Sequence, residues 1–187
     1  MSNRLIIGFT APKGSGKDLA WKIIEEQYYY SQDWRRVAFA DPIKDKICNL
    51  YDIHLSDLEV LKRKELVEIV SDGKVYGSLS GRDFVRNLGM MMRDYDDNQF
   101  NRYVESQFVQ YPNLNFVVTD VRFQNEADLI HKHNGYIVEI QRPGFQYDHH
   151  ITESGKIKPD LYVTNNGTVE QFKLQIIELV ELLLHKE

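Results

Sequence analysis

The sequence predicts an α/β fold: a mostly parallel five-stranded sheet flanked by helices. Three observations carry that expectation. Short apolar runs alternate along the chain with longer amphipathic stretches, the order that builds parallel sheets. The first and third runs are continuously apolar, as strands buried on both faces read. The first run also ends in a glycine-rich turn that opens straight into a helical stretch.

Leu5 to Thr10 is a continuous apolar run ending in a small residue, hence a buried strand. From Lys17 to about Tyr28 a helix is expected, with Leu19, Ala20, Ile23 and Ile24 on one face. Arg36 to Ala40 reads as a second short strand. Asp41 then caps a helix whose first turn takes Pro42. Leu55 to about Glu68 reads as a charged helix, with "SDGK" at 71–74 as a turn in a mobile excursion. Ser80 to Tyr95 and Asn98 to Tyr111 read as helices. Asn115 to Thr119 is a third strand, ending at Asp120. Gln124 to His133 is a helix stopped near Asn134-Gly135. Tyr136 to Ile140 is the fourth strand, and 142–159 is polar and irregular. Leu161 to Val163 completes the sheet, and Thr168 to Leu184 closes the chain as a helix.

The 187 residues suffice for one domain with a proper core, and no internal repeat or low-complexity linker divides them. A formal net charge of -5 disfavours a grip on nucleic acid, while leaving room for a local pocket that holds a small anion. The single cysteine, Cys48, allows no intramolecular disulfide and fits a reducing compartment. The apolar run at Leu5 to Phe9 is too short for a signal-peptide core or a membrane span, so a cytoplasmic protein without a membrane partner is expected.

The segment "APKGSGKD" aligns with the phosphate-binding pattern G-x-x-x-x-G-K-[ST]. Gly16 and Lys17 match. Ala11 replaces the first glycine, and Asp18 replaces the hydroxyl residue that normally holds Mg²⁺. Gly14 and Gly16 leave space for backbone N–H groups to wrap an anion, and the helix N-terminus adds partial positive charge. Lys17 can reach the β and γ phosphates of ATP. The Asp18 carboxylate can take the metal directly or through water; the alternative is that it merely caps or complements the helix N-terminus.

Asp120 stands at the end of an apolar strand, where a second acid of the Walker B type orients Mg²⁺. Its alternative is a cap for the following helix. Arg82, Arg86 and Arg93 are spaced four and seven apart and share a helix face, which taken alone reads as an ordinary solvated face. Arg122 and Arg142 follow strands three and four, where a parallel sheet presents its strand ends. Arginine forks bind phosphate bidentately and neutralise charge on a moving phosphoryl group. A loop lysine plus several arginines fits two phosphate-bearing ligands and phosphoryl transfer between them.

The ordered set "KGSGKD", "FADPIK", "GRDFVRNLG", "VVTDVRFQNEA", "NGYIVEIQRP", "HHITES" and "TNNGTVEQF" resembles the phage-type deoxynucleoside monophosphate kinases, from about Ile6 to Phe172. "DVRFQNEA" is its most specific segment. An Asp after the loop lysine is common in that family. Leu19 stands where the family usually has Thr, so the metal contact rests more on Asp18 or on water.

The resemblance implies an adenylate-kinase-like P-loop NTPase fold in one domain, 1–187. A substrate-binding helical region would span about 42–112 and a short lid about 142–160. It implies transfer of the γ-phosphoryl of ATP to a dNMP, giving ADP and dNDP, with Mg²⁺. The loop Lys13, Gly14, Ser15, Gly16, Lys17, Asp18 and Leu19 would hold ATP, with the metal at Asp18 and Asp120. Lys17, Asp120, Arg122 and Arg142 would be catalytic. Asp41, Lys44, Arg82, Arg86, Arg93, Asp120, Arg122, Glu126, His150 and Glu153 would face the acceptor. Arg86 takes a position where the family has Gln, so base preference stays open. A homodimer is an expectation at family level only.

Other readings stay open. Another small-molecule kinase of the same fold, acting on dephospho-coenzyme A or phosphomevalonate, is one. A nucleotide-dependent switch without transfer is another. His149, His150 and Glu153 could ligate a metal, although a polar lid segment suits them better. "EVLKRKE" reads as a solvated helix with internal charge pairs, and "DYDDNQ" as an interhelix turn.

Overall fold

A computed structural model describes residues 4–31, 33–62, 67–71, 74–147 and 157–186. The chain divides into two compact units, Met1–Phe39 with Val104–Glu187, and Ala40–Tyr103.

The first unit contains a five-stranded sheet of order β2-β5-β1-β6-β7. Its strands are β1 (Ile6–Thr10), β2 (Trp34–Val37), β5 (Asn115–Val118), β6 (Tyr136–Gln141) and β7 (Leu161–Thr164). Every pairing is parallel, with Ile7 opposite Val117 on one side and Tyr136 on the other. β1 is central and buried at all five positions, which explains its unbroken apolar run.

Alternation along the strands sends Ile7, Phe9, Val117, Val138 and Ile140 to one face. There they pack with Ala20, Ile23 and Ile24 of α1 (Lys17–Gln27) and Phe172, Ile176 and Val180 of α7 (Val169–Leu184). Tyr28 ties α1 to α7, its hydroxyl donating to Glu181 Oε1 at 2.5 Å. On the other face Gly8 is required: a Cβ there would lie 2.9 Å from both Ile137 and Val121 and 3.3 Å from Ile130 of α6 (Gln124–Lys132). That close approach seats α6 against the sheet.

β2 begins two residues before the expected stretch. It pairs with β5 from Trp34↔Asn115 to Val37↔Val118. It stops because the chain leaves the ladder at Ala38, and the Phe39 N–H turns to the Asp120 carboxylate at 2.7 Å.

The second unit holds α2 (Asp41–Tyr51), α3 (Leu55–Leu61), β3 (Val67–Ser71), β4 (Lys74–Leu79), α4 (Gly81–Tyr95) and the start of α5 (Gln99–Gln110). Two expectations are corrected here. Asp41 is the first residue of α2 rather than its cap; Ala40 takes the cap position, with no side-chain cap bond. The expected helix through Glu68 ends at Leu61, and Val67–Ser71 instead pairs antiparallel with Lys74–Leu79. The β-branched Val67, Ile69 and Val70 favour the strand, and the two residues between Ser71 and Lys74 are the length of a tight hairpin connection. Residues 72–73 of the expected turn lie outside the described residues. Among the described residues, no helix is long and apolar enough to cross a membrane.

Candidate active site

In a parallel sheet the carboxyl ends of all strands share one edge, and ligands bind there. The turn after β1, residues 11–16, therefore shares that edge with the loops after β5, β6 and β7. Gly14 and Gly16 hold φ of 81° and 114°, a left-handed region that L side chains rarely adopt. Gly16 takes the cap position of α1 without any side-chain cap bond. Asp18 is exposed in the first turn of α1: it does not cap the helix, while its position there lets its charge complement the helix N-terminus.

The loop is clamped from three sides by donors to its carbonyls. Lys17 Nζ turns back to Ala11 O at 2.6 Å and Pro12 O at 3.0 Å. Arg142 Nη1 reaches Gly14 O at 2.8 Å. Asn165 Nδ2, just beyond β7, reaches Ser15 O at 2.9 Å. Ser15 is fully buried, and its Oγ has no hydrogen-bond partner among the described residues. A buried unpaired hydroxyl costs free energy unless a ligand or water completes it.

Phe145 completes this corner. A Cβ on Gly14 would fall 2.5 Å from its ring, and the Arg142 guanidinium stacks on the same ring at 4.6 Å. Sequence reasoning missed Phe145 and Asn165. Asn165 lay in the quoted "TNNGT" segment, and Phe145 three residues after Arg142 in "RPGF", but spacing alone does not show that both chain reversals return to the loop.

The glycines, the uncapped helix start, the buried Ser15 hydroxyl and Lys17 fit a polyphosphate. Mg²⁺ keeps several waters and takes one or two protein carboxylates beside phosphate oxygens. Asp18 and Asp120 supply that donor type. Among the described residues no group of three or more His, Cys, Asp or Glu could hold a metal, so an all-protein cage for the ion is not formed there.

Asp120 does not cap α6, whose cap position is Phe123. Its Oδ1 accepts from Phe39 N, tying the end of β5 to the end of β2. Glu126 is 1% exposed, and its Oε2 accepts from Arg122 N at 2.7 Å and Phe123 N at 3.1 Å. It therefore shapes the turn that carries Arg122.

In the second unit, the arginine stripe is not a solvated face. Arg82, Arg86 and Arg93 are all partly buried. The Arg93 side chain is 10% exposed, with its guanidinium 4.7 Å from the Phe100 ring centroid and 4.0 Å from Asp97. Arg86 lies 3.9 Å from Asp83. Lys44 pairs with Glu59 at 3.3 Å. Asp41 sits in the first turn of α2. His150 and Glu153, with His149, lie outside the described residues.

The family model described as deoxynucleotide monophosphate kinase matches residues 77–176. A protein of Acanthamoeba polyphaga mimivirus named "Putative deoxynucleotide monophosphate kinase" is 30% identical, covering 95% of this chain and 96% of that protein. Among solved structures, a dephospho-CoA kinase from Campylobacter jejuni is 14% identical, covering 94% of this chain and 95% of that one, with a TM-score of 0.49. The Mycobacterium tuberculosis APS kinase CysC in complex with AMPPNP and APS is 12% identical, covering 97% and 99% of the two chains, with a TM-score of 0.46. These two likenesses are too loose to bear on the chemistry. The family match takes in the arginine-bearing helix α4, the Asp120–Arg122 turn and Arg142, and the mimivirus relative is similar along nearly the whole length. The chain belongs to the deoxynucleotide monophosphate kinase family.

Proposed function

We propose that this chain transfers the γ-phosphoryl group of ATP to the phosphate of a deoxynucleoside monophosphate, giving ADP and dNDP. The observation that carries the reading is the loop between β1 and α1. It joins two positive-φ glycines, an uncapped helix start, a buried Ser15 hydroxyl with no partner among the described residues, and Lys17 within the four residues 14–17, in a chain of this family.

Residues 13–19 cradle the triphosphate of ATP, and Lys17 exchanges its loop carbonyls for β and γ phosphate oxygens. That exchange replaces neutral acceptors with charged ones, which strengthens each hydrogen bond. Arg142 is braced beside the loop and steadies charge on the donor side. Arg122, held by the Glu126-bound turn, faces the transferring group. Asp41, Lys44, Arg82 and Arg86 receive the acceptor. Arg93 braces α4 against α5, and His150 and Glu153 belong to the lid segment.

An acceptor phosphate oxygen attacks the γ phosphorus, and the bond from that phosphorus to the β–γ bridging oxygen breaks, releasing ADP. A phosphate monoester has its second pKa near about 6 and is largely dianionic at neutral pH. No general base is required, so placement and positive charge supply the catalysis. Bound Mg²⁺ neutralises charge on the phosphate oxygens. Asp18 and Asp120 are the residues that would hold it.

An ATP-consumption assay against single dNMPs tests the reading. Formation of ADP and dNDP in equal amounts, dependent on a dNMP, is expected. ADP formation without an acceptor would overturn it.

A further inference from the structure

Asn165 stands one residue past β7, and its Nδ2 donates to Ser15 O at 2.9 Å. Its own backbone N–H donates to Gln141 O at 2.7 Å, at the end of β6. The amide is therefore presented from a strand end that is pinned to its neighbour. Phe172, in the first turn of α7 and 1% exposed, lies against the same part of the loop. A Cβ on Gly16 would fall 2.8 Å from Asn165 Nδ2 and 3.4 Å from the Phe172 ring. Gly16 thus admits Asn165 to the Ser15 carbonyl by having no side chain.

That same glycine leaves the peptide between Ser15 and Gly16 free to turn. Gly16 holds φ at 114°, and glycine populates both signs of φ, so rotation of the plane meets little steric resistance. A trans peptide points its C=O and its N–H to opposite sides. With Ser15 O turned to Asn165, the Gly16 N–H points away from Asn165. Ser15 is fully buried, so a carbonyl that lost the Asn165 donor would gain by swinging outward to water. A carbonyl oxygen would then stand where an N–H is needed to receive an anion.

We propose that Asn165 is a positioning residue for the donor nucleotide: it locks the Ser15–Gly16 peptide so that the Gly16 N–H, and not the Ser15 carbonyl, faces the phosphates. Lys17 leaves its loop carbonyls for the phosphates, whereas Asn165 keeps its bond throughout. That the phosphates are those of ATP rests on the kinase reading above.

The test uses the full chain and Asn165→Leu, which keeps the size of the side chain and removes the donor. At a temperature where both proteins are folded, the KM for ATP and the Kd for inorganic tripolyphosphate should rise about tenfold or more. The KM for the dNMP should stay within about twofold of wild type. A merely structural hydrogen bond would lower the melting temperature and leave tripolyphosphate affinity alone, which would overturn the proposal with the kinase reading intact. A changed preference between ATP and GTP at constant tripolyphosphate affinity would also overturn it, by placing Asn165 at the base. If wild type shows no dNMP-dependent ADP formation, the kinase reading fails. The lock is then judged by tripolyphosphate, whose binding Asn165→Leu must still weaken; a wild type that does not bind it contradicts the lock as well.

A measurement on wild type guards against a variant that does not fold. In ¹⁵N-labelled protein the side-chain amide protons of Asn165 should exchange more slowly than those of the exposed Asn166, with and without tripolyphosphate. The Gly16 amide signal should move when tripolyphosphate is added. Equal exchange at the two asparagines, or a Gly16 signal that stays in place, would contradict the proposal.

Discussion

At the scale of single residues, the loop after β1 is a set of donors aimed at its own carbonyls. Lys17, Arg142 and Asn165 satisfy Ala11, Pro12, Gly14 and Ser15 oxygens. In the proposed function Lys17 is the donor that turns from these carbonyls to the phosphates. Lys17→Ala should cut dNMP-dependent ADP formation by about a hundredfold or more with little change in melting temperature. Phe145 acts on the loop through Arg142. Phe145→Ala removes a cation–π contact of about 0.5–1 kcal/mol, so the KM for ATP should rise roughly two- to fivefold, with recovery in Phe145→Tyr. An unchanged KM for ATP in Phe145→Ala would detach this ring from ATP binding. Gly14, Gly16 and Lys17 were legible in the sequence because their role follows from local spacing between a strand and a helix. Phe145 and Asn165 were not, because what each touches is set by where the chain returns.

Among the elements, the strand–helix order was readable nearly throughout, since buried strands and amphipathic helices leave opposite periodicities. The segment after Leu61 was the exception. Its charged residues at helical spacing outweighed the β-branched Val67, Ile69 and Val70, although Asp72-Gly73 is a hairpin dipeptide. The start of β2 was also obscured, because Trp34, Arg35 and Arg36 of this edge strand are only partly buried and lack an apolar run. Two elements make direct predictions. Thr168 caps α7 by accepting from Gln171 N, so Thr168→Ala should cost about 1 kcal/mol in a denaturation experiment. Gly81→Ala puts a methyl group against the backbone of Leu61, which cannot rotate away as a side chain can. It should separate α3 from α4 and raise the KM for the dNMP more than that for ATP.

For the whole molecule, the five-stranded parallel sheet gathers the loops after β1, β5, β6 and β7 at one edge, which makes the donor-side residues of the first unit legible as a group. The acceptor side is proposed in the second unit, on Asp41 and Lys44 of α2 and Arg82 and Arg86 of α4. The pH dependence of stability in that unit has a definite sign. Lys62 has a lowered pKa, from burial first, reinforced by Lys44 and Arg82 and opposed by Glu59. It loses its charge at lower pH than an ordinary lysine. Removing the proton relieves the buried charge, so the Lys62 contribution to stability rises as pH climbs through its folded pKa. Burial raises the Glu59 pKa, but the lysines outweigh it and hold the carboxylate low. Its contribution is present above the unfolded value and is lost as pH falls through the folded one.

The measurement that bears most directly on the central claim is ADP formation with Mg²⁺ and ATP against dAMP, dCMP, dGMP, dTMP and GMP, one at a time. ADP should appear only with particular dNMPs, matched by the corresponding dNDP, and the pattern of acceptors will show what Arg86 does to base choice. ADP released without an acceptor, or no turnover with any of the five, would contradict the assignment of this chain as a deoxynucleoside monophosphate kinase.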